Sequence, residues 1–78
     1  MITKYQIELM CHCLGIQPNN KVTFYPQNRF IAGADHDDFL DLENLVKMGY
    51  MGKRDFRGCS NAYLFYVTEK GKEKINND

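Results

Sequence analysis

Near its C-terminal end the chain reads YLFYVTEKGKEKI, Tyr63 to Ile75. An aromatic and β-branched run, the composition of a strand, stops at a threonine and passes straight into alternating Glu and Lys. No other stretch constrains the fold as strongly. Along the strand Tyr63, Phe65 and Val67 point one way, and Leu64, Tyr66 and Thr68 the other. With apolar residues on both faces, one side must pack on helices. The other is left for the loop or a second subunit to cover in part. Upstream, YMGKRDF supplies a partner strand, and RGCSN, with Gly58, Ser60 and Asn61, has turn composition. Thr68 is placed to cap a closing helix from Glu69 to about Asn76.

Two further helices come from periodicity. Over Thr3 to Leu14, Ile2, Leu9, Met10 and Cys13 fall on one side at about 100° per residue, flanked by Tyr5 and Leu14. Lys4, Glu8 and His12 fall opposite, and Gly15 is the expected stop. Later, Phe39, Leu42, Leu45 and Val46 form an apolar stripe. Asp38 is its expected N-cap, with Asp41 in the place of a capping-box acid. Lys47 in the last turn suits the helix dipole, and Gly49 is the C-terminal glycine. Between the helices, Pro18, Asn19 and Asn20 read as a turn, Val22 to Tyr25 and Arg29 to Gly33 as two short strand candidates, and Pro26 to Asn28 as another turn. Such a long connection in so small a domain points to function.

All 78 residues form one small domain, residues 1–78, with a single core and a thin stability margin unless it dimerises. A hydrophobic content of 44% against 26% charged residues is that of a globular chain, not a disordered one. The fold class is α+β: helix, loop with a short strand, helix, β-hairpin, short C-terminal helix. There is no signal peptide and no apolar run long enough to span a membrane. With an odd count of three cysteines, Cys11, Cys13 and Cys59, this implies reduced thiols and a cytoplasmic protein.

The stretch LENLVKMGYM…YLFYVTEKGKE resembles the end of winged helix-turn-helix domains. There a helix ending in Leu-x-x-x-Gly-aliphatic leads into the wing, whose second strand ends in a Thr-x-x-Gly turn. The matching residues are Leu45, Gly49, Tyr50, Val67, Thr68, Glu69 and Gly71, so the resemblance covers roughly the C-terminal half. It implies a winged-helix-like fold, and DNA binding by analogy alone. In that family a helix precedes the recognition helix. The polar turns, Pro26 and Gly33 argue against a full helix at residues 20 to 34, so this part of the reading head is lost or remodelled. The segment NRFIAGADHDDFLDLENLVKMG also resembles short proteins of bacterial phages and prophages with an Ala-Gly-x-x-His-Asp-Asp segment, here Ala32, Gly33, His36, Asp37 and Asp38. That resemblance carries no activity.

Charge separates two function classes. Ten Lys and Arg balance ten Asp and Glu, so phosphate attraction must come from a local patch. The wing offers one: Lys53, Arg54 and Arg57 against Asp55. Such a patch can sit on phosphate, or simply protect an edge strand from aggregation. The helix that would read bases carries Asp35, Asp37, Asp38, Asp41 and Glu43 at its start, which repel phosphate. His36, Asp37, Asp38 and Asp41 are therefore read first as helix-start groups and second as a partner-binding acidic edge, with metal or acid–base chemistry a minor alternative. The run Cys11-His12-Cys13 cannot chelate one ion from a helix, because adjacent residues diverge by about 100°. Cys13 is expected in the core, Cys11 at its boundary and His12 in solvent. No nucleophile triad or nucleotide fingerprint occurs, so no catalytic residue, metal or cofactor is expected and the chain is read as a non-enzyme. The expectation is a small DNA-binding or regulatory module acting through a basic wing on double-stranded DNA. The alternative is a protein-interaction module that keeps the fold, binds a phage or host protein, and does not bind DNA. A homodimer is open under both.

Overall fold

The computed structural model describes residues 2–16, 25–56 and 62–77. These form a small α+β domain with three helices and a three-stranded antiparallel sheet. The chain order is α1 (Lys4–Leu14), β1 (Phe30–Gly33), α2 (Phe39–Lys47), β2 (Met51–Asp55), β3 (Ala62–Val67) and α3 (Glu69–Asn77). The sheet order is β1-β3-β2, so the last strand is the central one. The turn at Pro18 to Asn20, the strand candidate from Val22 to Tyr25 except Tyr25 itself, and the hairpin tip with Arg57 and Cys59 lie outside the described residues.

The expected second strand at Arg29 to Gly33 is present as β1. Among the described residues no helix lies between α1 and α2; residues 34–38 cross from β1 to α2 in turns. Register follows the alternation of β3. Phe30 pairs with Phe65, Met51 with Val67, and Ala32 with Tyr63, all on the helix side. Phe65, Val67, Met51 and Ala32 are buried there with Leu9, Met10, Leu14, Leu42 and Leu45. On the opposite face Ile31 pairs with Leu64, and Tyr66 lies over Gly52. Ile31 is 42% exposed.

Helices α1 and α2 end as expected. At α1, Gly15 has φ 74°, and its N–H and that of Ile16 reach back to the carbonyls of His12 and Cys11. At α2, Gly49 has φ 86°, with Gly49 N–H to Val46 O and Tyr50 N–H to Leu45 O, both 3.0 Å. This is the Schellman arrangement, which needs a left-handed residue just past the helix. Helix α1 starts with a capping box between Thr3 and Gln6.

The corner where α2, β3 and α3 meet explains the Thr-x-x-Gly pattern. The Thr68 N–H bonds Tyr50 O at 3.0 Å, and its hydroxyl donates to Gly49 O at 2.7 Å. The same hydroxyl accepts from Gly71 N–H at 3.2 Å, capping α3 as expected. A Cβ on Gly71 would lie 2.2 Å from Tyr50 O, so only glycine lets the two turns meet. Lys70 Nζ donates to Met48 O at 2.8 Å, at the carbonyl end of α2. The greasy strand thus ends against a charged helix because that helix closes over the end of α2.

Asn28 completes the sheet without being a strand residue. Its amide accepts from Val67 N–H at 2.7 Å and donates to Val67 O at 3.1 Å, as a neighbouring peptide would. Behind it, the Cys13 thiol has Asn28 Oδ1 at 3.5 Å and Phe65 O at 3.6 Å as acceptors. Burial pushes that thiol up to about 12. Cys11, expected at the boundary, is buried as well, and its thiol is raised by burial. The reason is that β3, α2 and α3 together cover a wider arc of α1 than its apolar stripe alone indicates. Gln6, a polar residue, is also inside that arc.

Candidate functional site

Two surfaces carry the chemistry-bearing residues: the hairpin, and a groove where the start of α2 meets α1 and β1. On the hairpin, the two described cations of the expected basic patch, Lys53 and Arg54, are not side by side. Lys53 pairs with Phe65 and Arg54 with Leu64, so consecutive cations leave opposite faces of the sheet. Lys53 turns to the helix side. Its ammonium lies 4.5 Å from the Tyr63 ring centroid and bonds Glu43 of α2 at 2.8 Å. Arg54 stays exposed on the other face, with its guanidinium 5.4 Å from the Tyr66 ring. Arg57, the third cation, lies outside the described residues.

The acidic group at the start of α2 departs from expectation. Asp38 occupies the N-cap position, but its side chain makes no capping bond. Instead the Tyr5 hydroxyl donates to Asp38 Oδ1. Asp41, expected to complete a capping box, accepts from Gln6 Nε2 at 3.1 Å. Both carboxylates therefore tie α2 to α1. The start of α2 is held by His36: its Nδ1 accepts from Asp38 N–H at 3.0 Å and its carbonyl from Phe39 N–H at 3.1 Å. An imidazole that accepts at Nδ1 carries its proton on Nε2. The geometry behind this exchange is a tight turn, anchored by His36 N–H on Gly33 O at 3.0 Å, which brings His36 rather than Asp38 under the helix end. Asp37 is exposed and Glu43 is paired with Lys53.

These bonds frame a groove of about 450 Å³. Tyr5, Glu8 and His12 line it from α1, Phe30 from β1, and His36 and Asp38 from the turn, over a floor at Leu9. Phe30 stands between the two imidazoles, with ring centroids 5.5 Å from His12 and 5.6 Å from His36, both edge-on. The Tyr5 phenol is raised, chiefly by its bond to Asp38, and stays protonated at neutral pH. None of the residues lining the groove is Lys or Arg. Among the described residues, no group of three His, Cys, Asp or Glu side chains is placed to hold a metal ion.

Of the residues expected at a site, the groove gathers His36 and Asp38 and leaves out Asp37 and Asp41. Tyr5, Glu8, His12 and Phe30 were missed. Their signal was present: Tyr5, Glu8 and His12 recur at three- and four-residue spacing, which places them on one face of a helix. What the spacing could not supply was the arrival of Phe30 and His36 opposite that face.

No family model, curated relative or solved structure matches the chain. Among the described residues no helix is long and apolar enough to cross a membrane.

Proposed function

We propose that the chain is a non-enzymatic protein-interaction module on a winged-helix-like frame, of the phage or prophage kind, that binds another protein rather than reading DNA. The frame is supported by the sheet order β1-β3-β2 and by the Gly49–Thr68–Gly71 corner, which gives the resemblance a physical basis. The observation that carries the choice is the outward face of α2. Where a reading helix would meet phosphates it presents Leu40, 73% exposed, with Glu43 one turn further along the helix and Asp37 in the turn before it. An apolar side chain among carboxylates is poorly matched to a polyanion and suits a protein surface. The nearest wing cation, Lys53, is already committed to Glu43.

A second reading, DNA contact through the wing, draws on Arg54, which remains exposed. Fluorescence anisotropy with duplex DNA separates the two. The interaction reading expects no saturable binding at about 50 mM salt, where phosphate contacts are strong. It also expects affinity capture on wild-type protein to retain a protein partner, insensitive to nuclease, that is lost with Leu40→Glu. Saturable, salt-sensitive DNA binding abolished by Lys53→Glu with Arg54→Glu would reverse the choice.

A further inference from the structure

The groove between α1, β1 and the turn before α2 combines groups that hold the fold, Tyr5, Asp38 and His36, with two, Glu8 and His12, whose side chains take no part in joining the helices. Glu8 and His12 are exposed side chains on a helix whose buried face is elsewhere. They nonetheless stand over a concave surface with Phe30, His36, Tyr5 and Asp38 around it. Its chemistry is one-sided: two carboxylates, four aromatic or imidazole rings, and no lysine or arginine lining it. Asp38 takes the Tyr5 hydroxyl on Oδ1 and, as a carboxylate, retains acceptor capacity on its second oxygen. His36 is fixed in place, with Nδ1 accepting from Asp38 N–H at 3.0 Å. Such a surface repels anions. It attracts a cation through both Coulomb and ring-quadrupole forces.

We propose that this groove binds the guanidinium group of an arginine presented by a partner protein, with Glu8 and Asp38 accepting its N–H groups and the rings forming its stacking wall. The proposal rests on the interaction-module reading and names what the partner inserts. Arginine is favoured over lysine because its planar cation can lie against rings while its fork donates to carboxylates, whereas an ammonium can do only one well. Charge complementarity selects this occupant: an apolar segment would bury Glu8 and Asp38 without partners, and a nucleic acid would set phosphates against them.

The test uses the full chain and N-acetyl-arginine amide, titrated while side-chain and backbone NMR signals are followed. The expected result is saturable shifts at Tyr5, His12, Phe30 and His36. N-acetyl-citrulline amide, of similar shape but uncharged, should give none, and N-acetyl-lysine amide should bind several-fold more weakly. Glu8→Gln, at an exposed position, should weaken arginine binding several-fold with unchanged signal dispersion. Asp38→Asn, which keeps an acceptor for Tyr5, should do the same. Equal binding of the citrulline compound overturns the proposal. So does a response spread equally over Asp35, Asp37 and Glu69, which would mark general attraction to acidic surface. If a Leu40-dependent partner is found but the arginine compound does not bind, the groove assignment falls and the module reading stands. If arginine binds saturably while DNA proves to be the partner, the groove stands and the module reading falls.

Discussion

The domain has two ends built on opposite plans. At one end, α2, β3 and α3 are joined by backbone groups: Thr68 to Gly49 and Tyr50, Asn28 to Val67, and a Gly71 contact too close for any Cβ. At the other, α1 and the start of α2 are tied by side chains, Tyr5 to Asp38 and Gln6 to Asp41, and beside those side chains space is left open. The first end has no space for a side chain at Gly71; the second keeps a groove open. In a domain whose small size limits its core, stability is concentrated where the backbone closes on itself, and that frees the other end to carry exposed carboxylates and rings.

The contrast can be broken by measurement, and the largest expected effect is alkaline. Cys13, at the closed end, has its thiol raised from 9.0 to about 12 by burial. A raised folded value means that the unfolded chain loses the proton first. The thiol's contribution is therefore full below pH 9 and is lost as the pH rises toward 12. Urea midpoints should fall across that window in wild type and fall less in Cys13→Ala; equal slopes would show that the thiol is not confined. Next, Asn28→Ala strips both Val67 backbone groups of their partner, and a loss of about 3 kcal/mol is expected in urea unfolding. Gly71→Ala should lose about 2 kcal/mol. Helix propensity favours Ala by about 1 kcal/mol, but forcing a methyl against Tyr50 O costs about 3 kcal/mol. At the open end effects should be smaller. Tyr5→Phe and Asp38→Ala should each lower the urea midpoint slightly and be non-additive, because they remove one bond. Full additivity would return Asp38 to a capping role. Smallest is Glu43→Gln, expected to cost about 0.5 kcal/mol and to lose its effect in high salt, as an exposed pair with Lys53 should.

The two ends also differ in how far they could be read from the chain. Thr68, Gly71 and Gly49 act through local backbone geometry, which turn and cap residues announce at fixed spacing, so the hairpin and its closing helix were visible from their letters. The start of α2 announces a cap in the same way, and there the letters misled. Asp38 and Asp41 have the spacing of helix-start acids, yet Tyr5 and Gln6 are 33 and 35 residues away and take both. Local pattern cannot register a competitor that only the packing of α1 on α2 brings near. The two described hairpin cations were hard to place for a different reason. Lys53 and Arg54 were added as charge, although strand alternation alone separates adjacent residues onto opposite faces. That the cation on the helix side would find Glu43 depended on the placement of α2, which no spacing within the hairpin encodes.

The stitch from Thr68 to Gly49 bears on the order in which the chain finds its shape. Those residues are 19 apart, and the hairpin lies between them. The Asn28 contact with Val67 closes a span of 39 residues. Because closure entropy grows with loop length, the shorter circuit forms more readily and offers a finished strand for Asn28 to grasp. Folding should then nucleate in the α2–hairpin–α3 unit and recruit α1 afterwards. Substitution of Thr68 would slow folding, and substitution of Asn28 would mainly hasten unfolding.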